Sequence, residues 1–286
     1  MNYKEFSKKT QNLIYSNVDV NKKIEEWNNI KIKISQIKIH SRHISKLILI
    51  LESNTDADIL DHGCGSCSTL LYLLSMGYKN IWGVDLDCDN EKLNIFLKDI
   101  CKLENERIFN YDGKNLPFEN NKFDLLISQQ VLEHVKYDEK ENTIKEQSRV
   151  MKNNAYAYFQ IPHILVPYEA HTKTWLIHWL PRKIAIPSYK LINKNYLFFK
   201  NQLFLSSPFK YKRLINKEIG KIKDLSEERI AMFNNEFNEL KGLSLYIRMI
   251  LAKICSLPYI GKFIMKILSN FIMIEILAKK NDRPKK

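Results

Sequence analysis

Asp58-Ile59-Leu60-Asp61-His62-Gly63-Cys64-Gly65-Ser66-Cys67 decides how this chain is read. A short apolar run ending in an acid is followed by two glycines one residue apart and then by helix-forming sequence. This is the signature of a strand, a tight turn and a helix. Gly63 and Gly65 let the backbone turn and approach a ligand without Cβ interference. Working outward from this turn, the sequence predicts strands over 58–61, 81–85, 107–111, 123–128 and 155–161. Helices are predicted over 66–76, 90–102 and 138–152. Alternation at this spacing implies parallel strands joined by right-handed crossovers, hence an α/β doubly wound sheet.

Ahead of the alternation, Ile24, Trp27, Ile30 and Ile34 recur at helical spacing, as do Ile44, Leu47, Ile48 and Leu51. Residues 1–55 therefore read as an N-terminal helical arm or lid, 56–162 as the core, and 163–286 as a substrate region. After Pro162 comes a His-, Trp- and Pro-rich segment, 163–187, then an aromatic stretch. A strand is predicted near 219–225, helices over 229–269 with a break at Pro258, and a last strand over 271–278.

With 286 residues, 45% of them hydrophobic, the chain can bury a substantial core without disulfides. Its five cysteines are an odd count, and the Lys-, Asn- and Glu-rich N-terminus lacks the apolar run of a signal peptide. The expected location is the cytoplasm. Cys64 and Cys67 form a C-x-x-C, but with no second pair at zinc-ribbon spacing the glycine turn explains them better. The net charge of +13 is uneven: residues 1–160 hold 22 basic and 23 acidic side chains, leaving 23 and 9 for residues 161–286. A C-terminal part of this kind suits an anionic partner. The 229–269 helices, apolar on one face with Lys and Arg on their flanks, leave three readings open: packing of the apolar face on the sheet or a partner, contact with an anionic surface at the inner face of the membrane, or a grip on a lipid-phosphate-linked glycan. Nucleic acid is disfavoured because no RNA-binding module accompanies the basic residues.

In such a sheet ligands bind beyond the carboxyl ends of the strands. Three acids fall there: Asp61 after the first strand, Asp85 after the second and Asp112 after the third. A carboxylate at position 85, about twenty residues past the turn, can accept both hydroxyls of a ribose. A pyrophosphate-binding turn requires a third glycine where Cys67 stands. It would also be repelled by Asp61, which instead suits an ammonium group. Asp112 is placed to accept a hydrogen bond from an exocyclic adenine amine.

Taken together, the Asp61–Gly65 turn, Gly83-Val84-Asp85, Asp112 with Leu116-Pro117-Phe118, Phe123-Asp124, Val131-Leu132-Glu133-His134-Val135 and Ser148-Arg149-Val150-Met151-Lys152 resemble class I S-adenosylmethionine (SAM) dependent methyltransferases, in particular the type 11 and quinone O-methyltransferase-like group. The resemblance covers residues 58–162. It implies a Rossmann-like seven-stranded sheet with N-terminal helices and a helical C-terminal insertion. It also implies SAM as cofactor, with Asp61, Gly63 and Gly65 at the methionine end, Asp85 and Leu86 at the ribose, Asp112 and Gly113 at adenine, and Gln129 beside the cofactor. Two positions depart from the pattern. Cys67 replaces the last glycine, tolerable if its φ is negative, and Asn153-Asn154 replaces the usual Pro-Gly turn before strand five, where Asn tolerates positive φ.

The sequence after strand four lacks the Asn/Asp-Pro-Pro-aromatic run that receives amino groups, so a hydroxyl acceptor is expected. Glu133 and His134 resemble part of the Glu-x-x-Glu-His cluster by which some quinone O-methyltransferases hold a divalent metal. Gln130 stands at its first carboxylate position, so no metal is expected. A base belongs near the rim of strand five. There His171 is expected to act as general base, with Glu169 orienting it or the acceptor. The E-x-H and W-L-P patterns of this segment resemble methyltransferases of bacterial surface-polysaccharide clusters, which implies a sugar or sugar-linked acceptor. The alternatives are a quinone, lipid or other small molecule as acceptor, or a SAM-binding or membrane-peripheral scaffold without turnover.

Overall fold

The computed structural model describes residues 1, 3–36, 42–51, 54–228, 253, 257 and 259–281. Three helices open the chain: α1 (Tyr3–Tyr15), α2 (Val20–Gln36) and α3 (Arg42–Ile50). The alternating region follows as β1 (Ile59–His62), α4 (Ser68–Ser75), β2 (Ile81–Asp85), α5 (Asn90–Asp99), β3 (Ile108–Asn110), β4 (Phe123–Gln129), α6 (Lys140–Val150) and β5 (Met151–Ile161). A two-residue hairpin, β6 (Tyr168–Glu169) and β7 (Thr174–Trp175), precedes α7 (Arg182–Leu191), α8 (Tyr196–Gln202), α9 (Pro208–Glu218) and β8 (Gly220–Asp224). The described chain closes with α10 (Ile260–Ser269) and β9 (Ile274–Lys280).

Seven strands form one mixed sheet in the order β3-β2-β1-β4-β5-β9-β8. β1 runs parallel to both β2 and β4, pairing Asp61 with Gly83 and with Ile127. The strand order reverses between β1 and β4, which makes the carboxyl end of β1 the switch point at which such sheets bind ligands. Strands covered on both faces read as continuous apolar runs. Accordingly Ile59, Leu60, Ile81, Val84, Leu125 and Leu126 are all buried.

The contacts divide the chain into two compact units. The first comprises residues 1–128, 145–158 and 280–286, the second 129–144 and 159–279. In the first, α1 packs on α4, with Phe6 edge-on to Tyr72 at 5.3 Å. In the second, Ala185, Tyr189, Phe199, Leu203 and Leu205 form a buried cluster. Helix α9 starts where the Ser207 hydroxyl accepts from the Lys210 amide, with Pro208 in the first turn, where its missing N–H costs nothing.

Two local expectations change. Cys67 has φ 58°, left-handed and not negative, and is buried. The bend that a glycine would make easily is therefore made by a side chain, at about 1–2 kcal/mol of strain. Strand β5 begins at Met151, so Asn153 and Asn154 lie within it, and Asn154 takes φ 62° inside the strand. The basic helices expected over 229–269 fall largely outside the described residues. Their described part, α10, exposes Ile260, Phe263 and Ile267. No helix among the described residues is long and apolar enough to cross a membrane.

Candidate functional site

The turn after β1 is pinned to β2. The amides of Gly63 and Cys64 both donate to the Val84 carbonyl, at 2.8 and 3.1 Å. Gly63 and Gly65 have φ 78° and 49°, as a turn this tight requires. The Asp85 carboxylate accepts from the Gly65 amide at 2.8 Å and from the Leu86 amide at 2.7 Å. One amide meets each oxygen, and each oxygen keeps a lone pair for a ribose hydroxyl. Asp85 thus fastens the turn and offers the acceptor pair that a ribose needs.

Asp61 is buried, and desolvation, helped by the neighbouring Asp85 charge, pushes its carboxyl up to about 7. A cation brought next to it would reverse that shift. Asp112 behaves differently. Its Oδ1 accepts from the amides of Asn115 and Lys114, each at 2.8 Å, and these bonds hold its carboxyl below the usual range. An added Cβ on Gly113 would come within 3.0 Å of Leu86 Cδ2, so Leu86 and the 112–113 turn lie together. An added Cβ on Gly65 would meet nothing within 4 Å. Open space in front of this glycine, with acids at three strand ends, fits a ligand carrying an ammonium, a ribose and an adenine.

The structure thus brings Asp61, Gly63, Gly65, Asp85, Leu86, Asp112 and Gly113 to the carboxyl edge of β1–β3 within the first unit. Gln129 ends β4 and belongs to the second unit. Helix α1 flanks the same turn: Gln11 Nε2 donates to Ser66 Oγ at 2.8 Å, and Ser7 and Ser68 share a hydroxyl bond of 2.8 Å. His62 is structural. Its Nε2 donates to the Tyr111 hydroxyl while its Nδ1 accepts from Gln147, both at 2.6 Å, and burial lowers it to about 4.

In the second unit, three histidines of the segment after β5 separate by their partners. His163 and His178 are buried, each with Nε2 donating at 2.7 Å to a carbonyl, of Ile272 and Val166 respectively. His171 instead donates from Nδ1 to Glu169 Oε1 at 2.7 Å, leaving Nε2 as its basic atom, and this bond raises its pKa. Burial would raise the Glu169 carboxyl, but bonds from His171 and Thr172 outweigh it and bring it to about 2. The hairpin β6–β7, which pairs Glu169 with Thr174, sets this geometry. Sequence reading left one grouping out: Glu133 and His134 lie beside His171. Only the Glu-His dipeptide hinted at it.

Residues 60–159 match the methyltransferase domain family. An uncharacterized protein of Methanocaldococcus jannaschii is 28% identical over 191 residues, which is 63% of this chain and 78% of that protein. The YcgJ protein from Bacillus subtilis superposes with TM-score 0.51 at 16% identity, over 85% of this chain and 100% of the other. Geranyl diphosphate C-methyltransferase from Streptomyces coelicolor A3(2), solved with Mg2+, geranyl diphosphate and S-adenosyl-L-homocysteine, superposes with TM-score 0.50 at 14% identity, over 90% and 84%.

Residues 60–159 carry a methyltransferase domain on a seven-stranded sheet of class I architecture, and SAM is its methyl donor. Within it, Asp61, Asp85 and Asp112 are the acids suited to hold that cofactor.

Proposed function

We propose that the protein transfers the methyl group of SAM to a hydroxyl of a small, largely apolar acceptor such as a quinone or a prenyl lipid. Bound SAM supplies a methyl already activated on a sulfonium: the C–S bond breaks as C–O forms, with the electron pair going to sulfur. What remains for the protein is to align the hydroxyl and to remove its proton.

The carrying observation is the His171–Glu169 pair. Its Nδ1–H is fixed on a carboxylate that also accepts from Thr172 N and Thr172 Oγ1, each at 2.6 Å. The imidazole therefore offers Nε2 to the acceptor proton in one orientation. Glu169, spent on four donors, acts as a positioning residue.

The acceptor class draws support from a cavity of about 340 Å³ in the second unit, lined by Tyr137, Ile164, Trp179, Leu180, Phe199 and Leu203 among others. That volume suits a small molecule. The guanidinium in its lining is spent on backbone: Arg182 donates to the carbonyls of Leu203, Phe199 and Lys200. A sugar hydroxyl is the second reading, favoured by the E-x-H and W-L-P patterns of residues 169–181.

Release of S-adenosylhomocysteine, followed with quinols and prenyl phenols in one arm and nucleotide sugars and glycolipids in the other, tests both. Turnover confined to the first arm is expected. Turnover confined to the second would replace the apolar acceptor by a sugar.

A further inference from the structure

In the second unit, Glu133 and His134, which the proposed proton transfer does not use, lie beside His171, which it does. One ligand atom from each of Glu133, His134 and His171 lies within 4.8 Å of the other two. Glu133 is fully buried, and among the described residues neither of its carboxylate oxygens has a hydrogen-bond partner. A carboxylate removed from water persists only where charge or hydrogen bonds offset its desolvation. Lys140 contributes its charge but no hydrogen bond, because its Nζ donates to the carbonyls of Leu132 and Val135. Among the described residues, both Glu133 oxygens are thus left without a hydrogen-bond donor, and His134 Nε2 approaches Oε1 to 3.9 Å.

The two imidazoles are prepared as ligands are. His134 Nδ1 donates to the Gln202 carbonyl at 2.7 Å, and His171 Nδ1 donates to Glu169 Oε1 at 2.7 Å. A carbonyl or carboxylate behind Nδ1 fixes the tautomer and leaves the Nε2 lone pair free, which is the arrangement that orients and strengthens histidine ligands of metals. The rings sit 5.1 Å apart at 88°, and Phe198 stacks on His171 at 5.2 Å, which restricts its rotation.

We propose that Glu133, His134 and His171 form a binding site for one divalent transition-metal cation, with open coordination positions for the acceptor. Two imidazoles and one carboxylate favour zinc, iron or cobalt over magnesium or calcium, which prefer all-oxygen shells. Atoms sharing one such ion sit about 3–3.5 Å apart, given metal–ligand distances near ~2.1 Å, so side-chain rotations suffice to close the site. Gln130, in place of an acid, removes one carboxylate from the Glu-x-x-Glu-His pattern, and His171 supplies a third ligand from a distant part of the sequence. The expectation of no metal drawn from Gln130 is thereby revised.

The role of the cation deepens the hydroxyl-acceptor reading and rests on it; its binding does not. An acceptor oxygen on an open position loses its proton more readily, the proton passing to solvent. In that loaded state His171 is a ligand, and in the metal-free protein its Nε2 is the base.

The test is a titration of tag-free, chelator-stripped full-length protein with Co2+, read by the visible absorption of the coordinated ion. No acceptor is present, so a failed acceptor panel leaves the result intact. The expected result is saturation at about one ion per chain, displacement by Zn2+, and affinity lowered at least about tenfold by Glu133→Gln, His134→Ala or His171→Ala. SAM affinity and circular dichroism should stay at the wild-type level. Should the buried Glu133→Gln variant not fold, the half-buried His134→Ala decides alone. Absence of a visible band, or wild-type affinity in a folded His134→Ala, overturns the proposal.

Discussion

His171 Nδ1 lies 2.7 Å from Glu169 Oε1, and the same oxygen accepts from the His171 amide at 3.0 Å. One carboxylate thus fixes both the backbone and the ring of one residue. Removing the ring should lower kcat by about 100-fold or more, the usual weight of a group that handles a proton. The expectation for His171→Ala is that loss with unchanged SAM affinity, read by initial rates and by calorimetry. Glu169→Gln should lose rate as well, and also about 2–3 kcal/mol of stability, because a buried acceptor of charge-assisted bonds is weakened. Wild-type turnover in His171→Ala would remove the ring from the reaction.

Asp61 and His62, adjacent and both buried, pull the pH dependence in opposite directions. Asp61 is raised from 3.8 to about 7, so its contribution to stability is complete below 3.8 and lost as pH rises through about 7. His62 is lowered from 6.5 to about 4, so its contribution is complete above 6.5 and lost as pH falls through about 4. Between about 4 and 6.5 the two oppose each other. Asp61→Asn should therefore melt at steadily lower temperature from pH 6.5 to 4, where wild type changes less. Because a bound cation favours the ionised carboxylate, SAM affinity should also weaken by about tenfold per pH unit below about 7. Calorimetric titration between pH 5 and 8 reads this directly. A flat profile would detach Asp61 from the cofactor.

Two glycines near the turn should fail for different reasons. A Cβ on Gly83 would come within 2.8 Å of Cys64 Sγ and 3.0 Å of Ile108 Cδ1, so Gly83→Ala overpacks the core and should cost about 1–3 kcal/mol. A Cβ on Gly65 meets nothing, but φ is 49°, so Gly65→Ala should cost only about 1–2 kcal/mol of left-handed strain. Its methyl group would occupy the space in front of the turn, so SAM affinity should fall. Melting curves with and without SAM separate the two. Full SAM affinity in Gly65→Ala would mean that the cofactor lies elsewhere.

How far the sequence could be read depended on whether the partners were local. β2 falls on 81–85 as the apolar run and its terminal acid imply, and α5 and α6 start within two residues of expectation. Parallel strands and their helices are local patterns, each with its own period. Asp61, Asp85 and Asp112 could be singled out because each lies at or just beyond the carboxyl end of a strand, and topology fixes where strand ends go. Glu133, His134 and His171 could not be grouped, because what joins them is a hairpin and a loop, and neither leaves a periodic trace. Gln130 argues against a metal only within a linear motif, and a ligand missing from such a motif can come from elsewhere in the chain, as proposed for His171. Cys67 shows the opposite limit: its residue type argued for negative φ, and the packing of the turn prevailed.

Arg149 lies in the Ser148–Lys152 run picked out by family resemblance, and its contacts supply a physical reason for that run. Its guanidinium donates to Glu146 Oε2 at 2.8 Å and Oε1 at 2.6 Å, to the carbonyls of Phe118 and Leu116 at 2.8 and 3.0 Å, and to Asn120 Oδ1 at 2.7 Å. Glu146 Oε1 in turn accepts from the Leu116 amide at 2.8 Å. The pair therefore ties α6 to the loop that follows Asp112 and Gly113. No other side chain type offers five donors in one plane, so Arg149→Lys should behave like a deletion. With two backbone carbonyls and the Glu146 carboxylate left bare, Arg149→Ala should lose about 2–4 kcal/mol. If that loop holds the adenine end, SAM affinity should fall by more than any loss of global folding explains. Measurement well below the melting temperature makes that distinction, because folded protein then dominates. Arg149→Ala and Arg149→Lys variants that are destabilised yet bind SAM as wild type would confine Arg149 to the fold and move the adenine contact away from residues 112–118.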